Sequence, residues 1–319
     1  MEPLSRRNFL SKTAAAGSFI AVAPILGCAS SSVANPATDR LQLHVFSKHL
    51  QFLDYQAAAE TAAEIGFDGV ELAVRPKGHV LPERVEDDLP KAVAAIREAG
   101  LKADLMVTRV DGASDPTHQT VLKTAAAQGI KKYRTGYLSW PKGQSVADGI
   151  SELNAQMIEL AALNKQLGIQ GYYQNHAGTR VGAAIWDIWH LLEGADNESL
   201  GCQYDIRHAV VEGGNSWPTG LRLIHKRIHS IVLKDFLWKK VDGNWKVVNV
   251  PLGEGMVDFV AYFKLLKEYK INVPVSMHFE YDLGGAEHGD YKLGSMDKQQ
   301  IMNKMKKDVV RAHRYWEEA

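Results

Sequence analysis

The chain reads as an α/β protein folded into a single-domain (β/α)8 barrel, and three features of the sequence say so. Short apolar or β-branched runs alternate with amphipathic helical stretches from residue 40 to the end, the order that parallel strands with helical crossovers impose. The runs number eight. Several helical stretches stop at a glycine directly before an apolar run, as in Ala99-Gly100-Leu101, Gln128-Gly129-Ile130 and Leu167-Gly168-Ile169, because a residue at ease with positive φ ends a helix cleanly. Eight units in about 280 residues have the size of a TIM barrel. A doubly wound open sheet is the runner-up, but it would want a glycine-rich phosphate loop after the first strand, and none is present.

Residues 1–27 read as an export signal rather than a structural helix. Ser5-Arg6-Arg7-Asn8-Phe9-Leu10 precedes the mostly apolar Ala14–Leu26, and the paired arginines fit the twin-arginine pathway, which exports proteins already folded. Ile25-Leu26-Gly27-Cys28 has the form of a lipobox, so the mature chain begins either at a lipidated Cys28 or at an ordinary cleavage site beside it. The expected location is periplasmic or lipid-anchored at the membrane. Residues 28–39 form a Ser/Ala/Asn/Pro linker, and 40–319 form the barrel.

The expected strands are Leu41–Ser47, Asp68–Val74, Leu101–Val107, Ile130–Gly136, Ile169–Asn175, Leu200–Ile206, Ile228–Lys234 and Val273–Phe279. Ala57–Ile65 and Lys91–Ala99 have the spacing of surface helices with one buried stripe. After the seventh strand, Trp238–Val250 reads as an inserted β-hairpin turning at Asp242-Gly243. Trp186 and Trp189 fall in the helix after the fifth strand and read as packing.

Composition narrows the function. Lys+Arg and Asp+Glu are 37 each, so no global field recruits nucleic acid. Nothing after Leu26 approaches a membrane-spanning length, which leaves lipid at Cys28 as the expected membrane contact. Cys202 lies in an apolar strand, where an inert thiol is expected. A homo-oligomer is compatible with all of this.

A barrel does its chemistry at the carboxyl ends of its strands, where loops can vary without unfolding the core. Those ends carry Glu71, Thr108-Arg109, Thr135, Tyr137, Gln174-Asn175-His176, Asp205-Ile206-Arg207-His208, Lys234-Asp235 and His278-Phe279-Glu280. Trp140-Pro141 and Ser216-Trp217-Pro218 place indoles on loops after the fourth and sixth strands, flat faces on which a sugar ring can stack.

Gly66-Phe67-Asp68-Gly69-Val70-Glu71-Leu72, Tyr173-Gln174-Asn175-His176, Tyr204-Asp205-Ile206-Arg207-His208, Val232-Leu233-Lys234-Asp235, Pro251-Leu252-Gly253-Glu254-Gly255 and Glu280 occur in this order and at these strand positions. With them the chain resembles the xylose isomerase-like barrels, the sugar phosphate isomerase/epimerase superfamily that includes inosose dehydratases and endonuclease-type barrels. The resemblance implies one divalent metal, Mn²⁺, Mg²⁺ or Zn²⁺, held by a Glu on the fifth strand, an Asp or His on the sixth, a His on the seventh and a Glu on the eighth. Asp205 and Glu280 match; Gln174 and Val232 stand in the other two places. Either Gln174, His208 and His278, with His176 also in reach, complete an altered metal site, or the barrel has lost its metal.

The implied activity is proton transfer beside a sugar carbonyl, by an isomerase or epimerase. Glu280 is the expected base, Asp205 anchors the cation, Lys234 or His176 steadies the oxyanion, and Glu71 is either catalytic or an ion-pair partner of Lys234 or Arg109. Arg109, Trp140, Arg207 and Trp217 are expected to bind the sugar. Because Gln174 removes one of two facing glutamates, a dehydratase acting on a keto-sugar or keto-glycoside is the alternative, and a non-catalytic carbohydrate-binding barrel is the third reading.

Overall fold

In the computed structural model, which describes residues 40–319, the eight runs become parallel strands that close on themselves. They are β1 (Leu43–Phe46), β2 (Gly69–Ala73), β3 (Lys102–Val107), β4 (Lys132–Arg134), β5 (Gln170–Gln174), β6 (Leu200–Asp205), β7 (Ile228–Leu233) and β10 (Val275–Met277). Closure runs through β10, with Met277 level with Val45 of β1 and Leu233 of β7. The export signal, the linker and Cys28 lie outside the described residues. Among those described, no helix is long and apolar enough to cross a membrane.

Strands are shorter than the apolar runs that announce them. β4 and β10 keep three residues each, although single ladder bonds continue beyond them, from Thr135 N–H to Tyr172 O and from His278 N–H to Leu233 O. The chain leaves the ladder there to build the rim.

Helices α1 (Tyr55–Ile65), α2 (Val85–Glu98), α3 (Pro116–Ala127), α4 (Val146–Leu167), α5 (Ile185–Leu191), α6 (Ile206–Gly213), α7 (Trp217–Ile224), α8 (Phe259–Glu268) and α9 (Lys298–Glu318) cover the barrel. Asp54, Asp115, Ser145 and Asp297 cap α1, α3, α4 and α9 by accepting from first-turn amides. The three glycine stops adopt φ of +76°, +77° and +63°, as a left-handed helix end requires.

The main apolar core lies between strands and helices. Among the described residues, Phe46, Ala73 and Val107 form a second, separate apolar cluster, and beside it lies a buried polar network. There Glu71, fully buried, accepts from Tyr172 Oη at 3.2 Å, Gln203 Nε2 at 3.0 Å and Ser276 Oγ.

The insertion begins earlier than its sequence pattern suggested. β8 (Asp235–Val241) follows β7 with only Lys234 between them, and pairs antiparallel with β9 (Asn244–Val250). Asp242 and Gly243 turn at φ +51° and +80°, the pair of positive angles a type I′ hairpin needs. Asp235 anchors the base of the hairpin: its carboxylate accepts the amides of Phe236, Gly253, Gly255 and Val257 at 2.8–3.2 Å. Gly255 is obligatory there, since a Cβ would run into Asp235 Oδ1 and Phe236 O.

Asp235→Ala should therefore strand four amide donors and lower unfolding stability by about 3–5 kcal/mol, the cost of orphaning several buried polar groups. An unchanged urea midpoint would show that the hairpin base is held by something else.

Candidate active site at the barrel rim

The carboxyl ends of β5, β6, β7 and β10 meet at one buried lysine. Lys234 Nζ lies 2.7 Å from His208 Nε2, 3.0 Å from Asp205 Oδ2 and 3.4 Å from Glu280 Oε1. Lys234 and Asp205 are buried, whereas the Glu280 side chain keeps 24% of its surface open to the barrel mouth. Asp205 is fixed from three sides. Asn175 clamps its backbone at both N–H and C=O, Gln174 Nε2 donates to Oδ2 at 2.8 Å, and its Oδ1 caps α6 by accepting from His208 N–H. Gln174 is itself locked, since its Oε1 accepts from Arg134 Nη1 at 2.8 Å and from Tyr137 Oη.

His208 sits between two cations, with Arg207 Nη1 2.8 Å from Nδ1 and Lys234 on the other nitrogen. Burial first, then the charges of Lys234, His176 and Arg207, hold its pKa well below the usual imidazole range. The neutral ring offers one lone pair, for which the two cations compete. Burial also pushes His176 down to about 4, helped by Lys234 and opposed by Asp205. The His176 ring lies 4.0 Å from that of His208, and its Nδ1 faces Ala177 O at 2.9 Å. Burial raises Glu280, but Lys234 and Lys48 outweigh it and keep the carboxylate well below its ordinary range.

Other expected residues are placed differently. Glu71 touches neither Lys234 nor Arg109: its partners are the interior donors of β5, β6 and β10, so the ion pairs expected for it are corrected to a buried hydrogen-bond network. His278 stands between floor and rim, with Nε2 3.6 Å from Glu71 Oε2, Nδ1 4.0 Å from Glu280 Oε1, and its ring stacked on Phe46. Arg207 is engaged by protein groups, donating Nη2 to Asn249 Oδ1 of β9 at 2.6 Å. Arg109 is exposed away from this cluster, and Trp140 is half-buried against the main core. Trp217 packs on Tyr262 and, with Trp186, Tyr204 and Glu212, walls a cavity of about 140 Å³ outside the lysine cluster. Trp186 and Trp189 are exposed, at 55% and 37%, correcting their reading as packing residues. Cys202 is buried, which raises its thiol pKa as expected of an inert cysteine.

Lys48 and Arg75 are the residues that strand-end reading missed. Both lie by Phe46, with Lys48 Nζ 5.8 Å and Arg75 Cζ 5.5 Å from its ring centroid. Burial lowers Lys48 to about 8, against the pull of Glu280 and with the push of Lys234, Arg75 and Arg134. Arg75 falls to about 10 through burial and the neighbouring arginines, and its Nε has no hydrogen-bond partner among the described residues. The sequence signal for each is a cation directly after an expected strand, Lys48 after the first and Arg75 after the second, in segments that carry no motif.

The residues do not fit a divalent metal. Among the described residues, no group of three or more His, Cys, Asp or Glu side chains could hold one. The point on which Asp205, His208 and Glu280 converge is filled by Nζ, the Gln174 oxygen is turned to Arg134 and Tyr137, and Val232, level with Asp205 on the ladder, has no donor atom. A ligating imidazole also needs an acceptor behind it, and His208 has the Arg207 guanidinium there. No step below runs through a metal.

The depressed histidines predict acid sensitivity. An unfolded histidine takes its proton near pH 6.5, whereas folded His176 does so only near 4. Between those values the unfolded state binds more protons, so stability falls as pH drops from about 6.5 to about 4 and this contribution is flat below. His49, His208 and His278, also lowered, act with the same sign. Urea midpoints should decline across that window, with a smaller slope in His176→Gln; an equal slope in wild type and variant would refute the assignment to His176.

The closed barrel has counterparts of similar fold among solved structures. The 3-keto-D-glucoside 4-epimerase of E. coli superposes with a TM-score of 0.63 at 14% identity, covering 85% of this chain and 100% of that one. D-allulose 3-epimerase from Methylomonas sp., solved in complex with D-allulose, gives 0.62 at 15% identity, covering 86% and 97%. The probable 3-DHS dehydratase of Bacillus anthracis gives 0.58 at 15%, covering 83% and 97%. At these identities the likeness is one of fold. Comparison with the curated proteins found no match. The family model described as xylose isomerase-like TIM barrel matches residues 59–296, and the chain belongs to that family.

Proposed function

We propose that this protein is an exported enzyme that moves a proton next to the carbonyl of a keto-sugar, as an isomerase or epimerase. The observation that carries the reading is the pairing of a partly open carboxylate, Glu280, with a buried ammonium, Lys234, at the barrel mouth. Proton abstraction beside a carbonyl needs a base at the carbon and a positive or donating group at the oxygen. Glu280 is the base. Lys234, held rigid by Asp205, faces the oxygen on which negative charge develops, and neutral His176 beside it completes the hydrogen bonding. Lys48, with its pKa near 8, sits on the strand end next to Glu280 and is suited to return a proton at working pH.

One observation favours a second reading, a dehydratase. Gln174 is neutral and bound at both ends, so no second carboxylate faces Glu280 across the mouth. Elimination needs one base and one acid, and Glu280 with Lys48 supplies them, whereas inversion by two opposed carboxylates has only half its machinery. The family includes members of both kinds by resemblance, and the solved structures of similar fold include epimerases and a probable dehydratase. A free keto-sugar or a keto-glycoside suits either reaction in the periplasm, where the signal at residues 1–27 would deliver the protein. Lipid at Cys28 would then hold it at the membrane.

Glu280→Gln should slow deuterium wash-in from D2O into keto-sugars by about 10²–10⁴-fold, the usual worth of a general base, without abolishing sugar binding. In wild type the alkaline limb of the rate profile should bend near pH 8 and disappear in Lys48→Met. Product analysis by NMR separates an isomer or epimer from a dehydrated sugar, and saturable binding with no wash-in would leave the carbohydrate-binding reading standing. Arg6→Lys combined with Arg7→Lys should retain the precursor in the cytoplasm; undiminished export would refute the signal.

A further inference from the structure

Asp205 Oδ2, His208 Nε2 and Glu280 Oε1 come from three different elements and converge within 3.4 Å of a single point. Two of the three donors are carboxylates, one fully buried and the other three-quarters buried, so the point demands positive charge. In this chain the charge is covalent: Lys234 follows β7 directly and reaches the point with Nζ. Its surroundings are arranged for an ammonium. Gln174 presents an N–H₂ to Asp205 and turns its oxygen away, and the group behind His208 is a second cation. We propose that Lys234 is an internal substitute for a divalent cation: its ammonium fills a cation site completely enough to exclude a metal, and its removal uncovers that site.

The step from filled site to built-in electrophile rests on the sugar-enzyme reading above, whereas the exclusion of metal does not. A divalent ion could enter only by displacing Nζ, because the two would otherwise share the same carboxylate oxygens at van der Waals distance with like charge. Without Nζ, Asp205 would keep the Gln174 amide and Glu280 the charge of Lys48, but the vacancy between the two carboxylates would hold no cation. Carboxylates completed by water are the ligand set of Mn²⁺.

The test measures Mn²⁺ rather than turnover. The full wild-type chain is dialysed against Mn²⁺, then against buffer, and its metal content and thermal midpoint are recorded with and without chelator; Lys234→Ala and Lys234→Met are treated in parallel. Wild type should retain no stoichiometric Mn²⁺ and show no shift in midpoint. Lys234→Ala should be destabilised, retain about one Mn²⁺ per chain, as a single vacancy allows, and recover stability with it. Lys234→Met fills the vacancy with an apolar chain and should bind none. Stoichiometric Mn²⁺ in wild type, lost in Asp205→Ala, would overturn the proposal. So would a folded Lys234→Ala indifferent to Mn²⁺. Should that variant not fold in either condition, the wild-type measurement decides alone. Failure of the sugar chemistry with these metal results intact would refute the enzyme reading and leave the cation substitution in place.

Discussion

The rim of this barrel is organised by the burial of one carboxylate. Asp205 has no solvent of its own, and an isolated carboxylate cannot be kept ionised in such a place without compensation. Its position is set by the β6 ladder and by Asn175, which holds both its backbone polar groups, so the compensation must come to it. Lys234 on the neighbouring strand end supplies charge, and Gln174 on the other neighbour supplies a dipole. Breaking such a pair by deleting one partner typically costs about 3–5 kcal/mol; geometry needed for chemistry is thereby tied to folding. The same lysine then meets Glu280, and the carboxylate open to the mouth inherits a fixed partner. Preorganisation of this kind costs nothing further when charge develops on a bound substrate.

Below the rim lies a second polar layer that faces none of the mouth. Glu71 accepts from Tyr172, Gln203 and Ser276; burial alone would raise its pKa, but His278 first, then Ser276 and Arg134, lower it. His278 spans the distance from this floor to Glu280, and its stacking on Phe46 fixes the ring between two carboxylates. A small apolar cluster of Phe46, Ala73 and Val107 fills the space beside it. The barrel interior thus trades apolar packing for hydrogen bonds, and the hydrophobic burial that stabilises the fold is carried by the layer between strands and helices.

Much of this was legible in the chain because period and punctuation are local. The eight strands follow from apolar runs, and the helix ends at Gly100, Gly129 and Gly168 follow from a backbone preference that needs no tertiary information. Strand ends located Asp205, Gln174, Lys234 and Glu280 in one place. What the residues do to one another was less legible, because contact across a barrel joins positions far apart in sequence: Glu71 meets Ser276 from the opposite end of the chain. Lys48 carries no local signal, since a lysine after a strand is ordinarily solvated and the closure of β1 against β10 is what brings it near Glu280. The hairpin starts at Asp235 rather than Trp238, and its polar side chain hides this in the sequence because the four amides that consume the carboxylate come from later in the chain. Trp186 and Trp189 show the limit of composition, since an indole on a short helix reads as core whether or not anything covers it.

The neutral amide at Gln174 and the cation at Lys234 are consequences of each other. A carboxylate at position 174 would face Asp205 Oδ2 at hydrogen-bond distance, and two anions there would need more than one ammonium to hold them. With the amide in place, the N–H₂ donates to Asp205 and the oxygen accepts from Arg134, so the dipole points the same way as the charge on Lys234. One ammonium is then shared by Asp205 and Glu280, with Lys48 adding to the field at Glu280. Of the two carboxylates on Lys234, Asp205 is closed to solvent and Glu280 is partly open. The asymmetry of the cluster, with one carboxylate held dry by an amide and an ammonium and the other partly open, follows from the amide nitrogen that Gln174 presents to Asp205.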